Sequence, residues 1–382
     1  MERLMGADRI LLHVLIVFAV PLLLSLVLTP IIRKIALRVQ VPKLKERFVP
    51  ELGGISIYLS FMAGLLIAVS LAPDLFRPLQ ERMLGMVIGG TVVLLIGIYD
   101  DVRGTNCLQK FLGQTVAALI AVFLGFKISV VTNPFGEPVA LGSLATPITL
   151  LWIIGISNAV NLIDGLDGLA AGVSSVTALT LCVIAVYTGN LPTVFLAVIL
   201  VGSVLGFLRY NFNPARIFMG DTGSLFLGFL LALISIQGFS QTTAAVAILI
   251  PMIALGVPIV DTLYAIARRA RKGVNPLKGD KEHIHHRLIM LGLSQRQAVV
   301  LICGISVVFG VIAFLLTATS DNFTALLLLA VGTIVFIGVK KLGNIDFTAA
   351  HSQDRVSDEG AGVEEGNGEI AEEEEEVSLE RF

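Results

Sequence analysis

The sequence predicts an all-α polytopic membrane protein with about eleven transmembrane helices, on three observations. The 382 residues are 55% hydrophobic with a mean hydropathy of +0.88, too apolar for a water-soluble globule of ordinary composition. Apolar runs long enough to span a bilayer recur along the chain, separated by short polar connections. Lysine and arginine are crowded into two of those connections and missing from several others.

The first run, near residues 10 to 32, continues past the length of a secretory apolar core and lacks a small-residue cleavage pattern, so it is expected to remain as a span. Runs near 53 to 72, 83 to 99 and 111 to 131 follow. The fifth and sixth, near 147 to 163 and 168 to 188, flank the polar segment NAVNLIDGLDGLAAG. Lipid cannot solvate its asparagines and aspartates, so this junction must face a polar cavity, a cation or an aqueous boundary. Runs near 191 to 209, 222 to 239, 243 to 267, 297 to 318 and 322 to 339 complete the set.

The segment RKIALRVQVPKLKER after the first span holds six basic residues, and RRARKGVNPLKGDKEHIHHRLIMLGLSQR after the ninth holds eight. The connections 132 to 146, 189 to 190, 240 to 242 and 319 to 322 hold none. With eleven spans both basic loops fall on one side, which the retention of positive charge makes cytoplasmic. The N-terminus is then outside and the C-terminus cytoplasmic. One span more or fewer between the two loops would put them on opposite faces.

The formal charge of −2 hides two opposite parts. Residues 342 to 382 carry 13 acidic and two basic residues, whereas the rest carries 25 basic and 16 acidic. The chain therefore divides into an integral membrane domain, 1 to 341, and an acidic cytoplasmic tail, 342 to 382, whose composition predicts disorder. Cys107, Cys182 and Cys303 are scattered and suggest neither a disulfide framework nor a metal site.

On this topology every concentration of unusual polar residues falls at the cytoplasmic ends of spans. YDDVRGTNCLQK follows the third span and places Asp100 beside Asp101, with Lys110 opening the next span. A carboxylate pair and a lysine suit a magnesium-dependent phosphate site; the plainer reading is a helix cap or an ion pair with Arg103. Asn158, Asn161, Asp164 and Asp167 are each three residues apart, so neighbours share a helical face. Over nine residues an unbroken helix drifts by about 180°, and the four cannot all line one pocket. Gly165 and Gly168 allow a break, giving a re-entrant or helix-end loop with Asn161 and Asp164 or Asp167 pointing inward. NFNPARIFMGDTGS follows the seventh span and places Asp221 between glycines at a helix start, where capping and metal binding are both available. Asn211 and Arg216 lie just upstream, and the glycines would let a phosphate approach the backbone. HIHHRL offers His283, His285, His286 and Arg287 on a basic loop; the spacing is not a familiar zinc pattern, and these groups are good donors to phosphate and sugar oxygens. Asp261, inside the ninth span, pairs on the plainer reading with Arg268.

These four blocks, in this order, resemble the polyprenyl-phosphate N-acetylhexosamine-1-phosphate transferases, the glycosyltransferase family that also holds the muramoyl-pentapeptide transferases. The resemblance covers roughly residues 10 to 340. It implies magnesium-dependent transfer of a sugar 1-phosphate, with manganese as a substitute, from a UDP-sugar to a membrane polyprenyl phosphate, with release of UMP. It implies Asp221 as a metal ligand with Asn161 as a second, and Asp100, Asp101 and Lys110 as catalytic residues. Asp164 and Asp167 match the family's DGLDG aspartates, Asp167 resembling a uracil contact with Phe218 stacking beside it. Asn211 and the HIHHRL residues are implied to bind substrate, the latter resembling the N-acetylglucosamine branch and so favouring UDP-N-acetylglucosamine. The implied partners are those two substrates, the membrane and a second copy of the chain, with no nucleic acid; the implied location is the plasma membrane with the site facing the cytoplasm, at the start of cell-envelope polysaccharide synthesis. Two positions depart from the pattern: Gly104 stands where some members have a third aspartate, and Lys45 stands where a histidine is usual.

Two rivals predict other features. A secondary transporter of a nucleotide sugar or organic anion would carry an inverted repeat and broken mid-membrane helices, and neither is read from the sequence. A scaffold acting through its acidic tail would keep its function in the tail alone.

Overall fold

The computed structural model describes residues 2–39, 49–131, 139–239, 249–271 and 284–318. All of them lie within the compact unit Met1–Leu327. The chain runs through α1 (Glu2–Val39), α2 (Gly54–Leu71), α3 (Pro73–Phe76), α4 (Gln80–Arg103), α5 (Cys107–Phe123), a small hairpin of β1 (Val130–Val131) and β2 (Val139–Ala140), and then α6 (Ala145–Ile163) and α7 (Leu169–Tyr187). It continues through α8 (Leu191–Asn211), α9 (Gly220–Phe239), α10 (Leu249–Ala254), α11 (Gly256–Arg271), α12 (Ile284–Met290) and α13 (Gln295–Ala318). The strands pair antiparallel, Val130 with Ala140 and Val131 with Val139.

Among the described residues eight helices are long and apolar enough to cross a membrane, as an all-α polytopic membrane protein requires. They match the expected first to third, fifth to eighth and tenth spans. The other three expected spans fare differently. The fourth is the 17-residue α5, which starts and stops earlier than its hydropathy suggests. Its start is fixed by a capping box: Asn106 Oδ1 accepts the N–H of Gln109 at 2.8 Å and Gln109 Oε1 accepts that of Asn106 at 3.1 Å. Its end is fixed by Gly125 at φ +99°. The ninth, expected unbroken, is two helices parted at Leu255. Gly256 and Pro258 follow the break, and a proline is tolerated in a helix's first turn. Thr177 Oγ1 donates to Ala254 O at 3.2 Å, satisfying a carbonyl at the break that lipid could not. The eleventh, near 322 to 339, and the acidic tail lie outside the described residues.

α9 is the axis of the bundle: 89% of its most apolar window is buried, against 17% for α1 at the rim. It packs on α2, α4 and α6 through glycines that let backbones touch. A Cβ on Gly54 would fall on the backbone of Gly223, one on Gly97 would fall on that of Thr222, and one on Gly228 would lie 2.6 Å from Ser157 Cα. The approach of α2 is completed by backbone pairing. Phe218 N donates to Pro50 O at 2.8 Å, while Gly53 N and Gly54 N donate to Phe218 O and Met219 O at 3.0 and 3.1 Å. The first turn of α9 is thereby clamped on two sides before any polar side chain is considered.

Gly97→Val should lower the thermal midpoint of the detergent-solubilised protein, since overpacking backbone against backbone costs about 1–3 kcal/mol or more. Gly155→Ala on α6, which has nothing within 4 Å of the added methyl, should leave the midpoint unchanged.

Candidate active site

Four helix ends deliver one polar cluster: the last turns of α4 and α6 and the first turns of α5 and α9. Asp101 is 5% exposed and faces α9. Its Oδ1 accepts the Asp221 N–H at 2.8 Å, and its Oδ2 accepts the Thr222 N–H at 3.0 Å and the Thr222 hydroxyl at 2.5 Å. A carboxylate here satisfies N–H groups that have no partner within the helix and lies at the positive end of the helix dipole. Asp101 thus supplies a cap for α9 from another helix. Gly220, at φ +69°, leaves room for it, because a Cβ there would collide with its carboxylate.

Its neighbour Asp100 turns the other way, as a rotation of about 100° per residue requires. Asp100 Oδ1 accepts from both the N–H, at 2.7 Å, and the hydroxyl of Thr105. Its Oδ2 lies 2.8 Å from Lys110 Nζ. Lys110 also bridges to Asp221 Oδ2. The other oxygen of Asp221 accepts from Asn161 Nδ2 at 3.0 Å, and Asn161 also donates to Ser224 Oγ at 2.8 Å. Asp221 therefore does not cap its own helix: α5 holds one of its oxygens and α6 the other.

The polar segment after α6 breaks as its glycines suggest. α6 ends at Ile163, Asp164 is its C-cap, and Gly168 at φ +79° starts α7. The turn separates the two aspartates. Asp167 Oδ2 accepts from Asn213 Nδ2 at 3.1 Å and from the Ala215 N–H at 2.9 Å, fixing the loop between α8 and α9. Asn211, 2% exposed, spends both ends of its amide on backbone: Oδ1 accepts from Gly168 N at 3.1 Å and Nδ2 donates to Ile217 O at 3.0 Å. These two bonds tie that loop to the start of α7. Phe218 lies half-buried on the same loop. Burial pushes the Asp164 carboxyl up to about 8, with the charges of Asp221, Asp101, Glu51 and Asp167 adding to the rise.

The histidine segment reaches this turn from α12. His285 is buried against Gly165, where a Cβ would collide with Nε2, and its ring centroid is 4.3 Å from that of His286. Arg287, 3% exposed, donates to Tyr264 Oη at 3.1 Å and stacks 5.1 Å from the centroid of that ring. Arg268 lies over the same ring at 5.3 Å. Asp261 Oδ1 accepts the Ile284 N–H at 2.9 Å, so α11 orients α12. His283 and Lys45 lie outside the described residues.

One oxygen each from Asp100, Asp101 and Asp221 lies within 4.8 Å of the others. With Asp101 committed to α9, the oxygen donors left for a cation are Asp100, Asp221 and the Asn161 amide. That all-oxygen set fits a hard divalent ion, and magnesium commonly takes one or two carboxylates and completes its shell with water and phosphate oxygens. Thr105, Thr222, Ser224, Asn213 and Tyr264 complete the site, and the sequence reading did not single them out. Thr222 and Ser224 had one visible signal, their place in the first turn after FMGD.

A sequence profile for glycosyl transferase family 4 matches residues 83–239, the stretch that carries α4 to α9. A protein of Bacillus subtilis (strain 168), named probable undecaprenyl-phosphate N-acetylglucosaminyl 1-phosphate transferase, is 39% identical over 320 residues, covering 82% of this chain and 87% of its own. The decaprenyl-phosphate N-acetylglucosaminephosphotransferase of Mycobacterium tuberculosis (strain ATCC 25618 / H37Rv) is 34% identical over 323 residues, 77% of this chain and 78% of its own. The phospho-N-acetylmuramoyl-pentapeptide-transferase of Halalkalibacterium halodurans is 31% identical over 331 residues, 81% of this chain and 98% of its own.

Asp101→Ala should cost about 1–3 kcal/mol, the penalty for leaving buried donors without an acceptor, and thermal unfolding would read it as a lower midpoint. Asp164 supplies a second outcome with a definite sign. A carboxyl that rises from 3.8 to about 8 on folding binds its proton more tightly in the folded state. Its stabilisation is complete below pH ~4 and is lost as pH rises through ~8. In chelator, the midpoint of Asp164→Asn should therefore fall less than that of the parent between pH ~5 and ~8.

Proposed function

The chain belongs to glycosyl transferase family 4, and on that premise we propose that it transfers N-acetylglucosamine 1-phosphate from UDP-N-acetylglucosamine to a polyprenyl phosphate, with release of UMP. The observation that carries this reading is the convergence of Asp100, Lys110, Asn161 and Asp221 from four helix ends. A soluble nucleotide sugar and a lipid-anchored phosphate can meet only at the membrane boundary, and a cluster of helix ends is suited to that depth.

The chemistry exchanges one phosphoanhydride for another. An oxygen of the lipid phosphate attacks the β-phosphorus of the UDP-sugar, a new P–O bond forms, and the bond from that phosphorus to the bridging oxygen breaks. UMP departs with the bridging oxygen. A phosphate monoester has a second pKa of about 6, so near neutral pH the attacking group is already largely dianionic and needs little help from a base. The larger difficulty is bringing two anions together, which places the work on charge neutralisation and alignment.

Lys110 supplies positive charge from α5 and exchanges its carboxylate partners for phosphate oxygens as substrate arrives. Asp100, braced by Thr105, holds Lys110 at the cluster. Asp101 keeps the first turn of α9 in place and so fixes Asp221. Asp221 and Asn161, with Asp100 beside them, would hold a magnesium ion, which when bound neutralises the diphosphate and polarises its phosphoryl oxygens. Asp164, Asp167 and Phe218 line the turn and loop next to this cluster and are assigned to the uridine end of the donor. Arg287, oriented by Tyr264, and His285 and His286 are assigned to the sugar diphosphate.

The same end of the bundle carries Arg33, Lys34, Arg38, Arg103, Arg209, Arg216, Arg268, Arg269 and Arg296. Positive charge is retained on the cytoplasmic side, so the reading places the site facing the cytoplasm of a multi-pass plasma-membrane enzyme. It also keeps the N-terminus outside and a total of eleven spans.

Purified protein given a panel of UDP-sugars, polyprenyl phosphate and magnesium should release UMP fastest with UDP-N-acetylglucosamine. Asp221→Asn should lose at least about 100-fold in kcat, in line with loss of a metal clamp, together with the dependence on magnesium. Full activity in Asp221→Asn would overturn the metal assignment, and absence of UMP release with every donor would overturn the reaction.

A further inference from the structure

Lys110 and Asn161 hold the two oxygens of Asp221 from opposite sides, α5 on one and α6 on the other. The spacing of these two helices therefore sets the angle at which the carboxylate is presented. One helical turn deeper in the bundle, a second contact joins the same two helices. Asn158 Nδ2 donates to Gln114 Oε1 at 2.5 Å, and Gln114 Nε2 donates back to Asn158 Oδ1 at 3.3 Å. Gln114 follows Lys110 by four residues and Asn158 precedes Asn161 by three, so each amide lies on the same helical face as the site residue above it.

Three features make this pair more than a chance contact. Gln114 is 2% exposed, so its amide has little access to water. Asn158 Nδ2 also donates to Ile154 O at 2.8 Å, which fixes its rotamer against its own helix. α5 is short and turns Leu108, Phe111, Leu112, Val116 and Phe123 outward, so much of its surface meets no other helix among the described residues. On the α4 side it is held by Gly113, whose missing Cβ makes room for Ile96.

We propose that Gln114 and Asn158 are positioning residues of the transferase: their reciprocal amide bonds lock α5 to α6, and through Lys110 and Asn161 they set the orientation of Asp221 toward its cation and the phosphates. The inference rests on the proposed function for its kinetic consequences, and on geometry alone for the orientation of Asp221. Removing one amide has two effects. It leaves the other without its partner in a low-dielectric interior, and it frees α5 to shift relative to α6. A displacement of about 1 Å at reacting groups can cost roughly 100-fold in rate, so the kinetic effect should exceed what a modest loss of stability produces.

The test uses Gln114→Met, Asn158→Leu, and the exchanged pair Gln114→Asn with Asn158→Gln, which keeps two amides and their combined length. Each purified full-length variant is assayed for UMP release, and for Mn2+ binding without substrate by electron paramagnetic resonance of the free ion. The single variants should lose about 10-fold to 100-fold in kcat, keep both KM values within about threefold, and bind Mn2+ about tenfold more weakly. The exchanged pair should recover most of both losses. Unchanged kcat and Mn2+ affinity in well-folded single variants would overturn the proposal and leave an ordinary structural bridge. If a single variant does not fold, failure of the folded exchanged pair to match the parent in Mn2+ affinity overturns it equally. A parent protein that binds Mn2+ but releases no UMP would sink the proposed reaction, and the Mn2+ data would still decide the pair.

Discussion

The site depends on one carboxylate turned away from it. Asp101 accepts three hydrogen bonds from the first turn of α9, two from N–H groups that have no partner within the helix and one from the Thr222 hydroxyl. That interaction fixes where α9 begins and therefore where Asp221 stands. The glycine contacts of Gly54, Gly97 and Gly228 serve the same end by steric means. They let α2, α4 and α6 press on α9 closely enough that an aspartate on α4 can cap it. Neither device would suffice alone: packing without the cap would bury unsatisfied donors, and the cap without close packing could not reach.

With α9 held, the remaining polar groups sort by what they face. Asp167, Asn211 and Asp261 bind backbone and hold loops or helix starts. Asp100, Lys110, Asn161 and Asp221 bind one another, in an arrangement whose charges invite exchange. A lysine between two carboxylates leaves one negative charge in excess, which suits the divalent cation proposed for the site. The Asp164 carboxyl beside this set is raised by burial and then by the neighbouring negative charges.

Much of the fold was legible as hydropathy. Among the described residues eight of the expected spans are helices long and apolar enough to cross a membrane, and the break between α6 and α7 follows from Gly165 and Gly168 beside a run of aspartates and asparagines. Hydropathy failed where a local device set the boundary. The Asn106–Gln109 capping box starts α5 before its apolar run begins. The ninth span breaks at Leu255, where Pro258 has no N–H to offer the Ala254 carbonyl and a threonine on α7 serves it instead; hydropathy registers neither. Of the candidate site, Asp100, Lys110, Asn161 and Asp221 stood out in the sequence, whereas Thr105, Thr222 and Ser224 did not, and no contact among them could be read there. Asp100 and Asp101 are chemically identical in a string of letters, and only their opposite directions from the end of α4 separate a partner of Lys110 from a cap on α9.

Composition, charge distribution and motif order by themselves determined that this is a helical membrane protein, with its polar chemistry gathered where spans end. Those properties are written residue by residue, because solvation of a side chain by lipid or water is a local matter. Tertiary structure alone decided which oxygen meets which donor. Contacts such as Asp101 with Thr222, Lys110 with Asp221 and Gln114 with Asn158 join positions 121, 111 and 44 residues apart. Hydrogen bonds act over about 3 Å, so such partners exist only once glycine-mediated packing has brought their helices together.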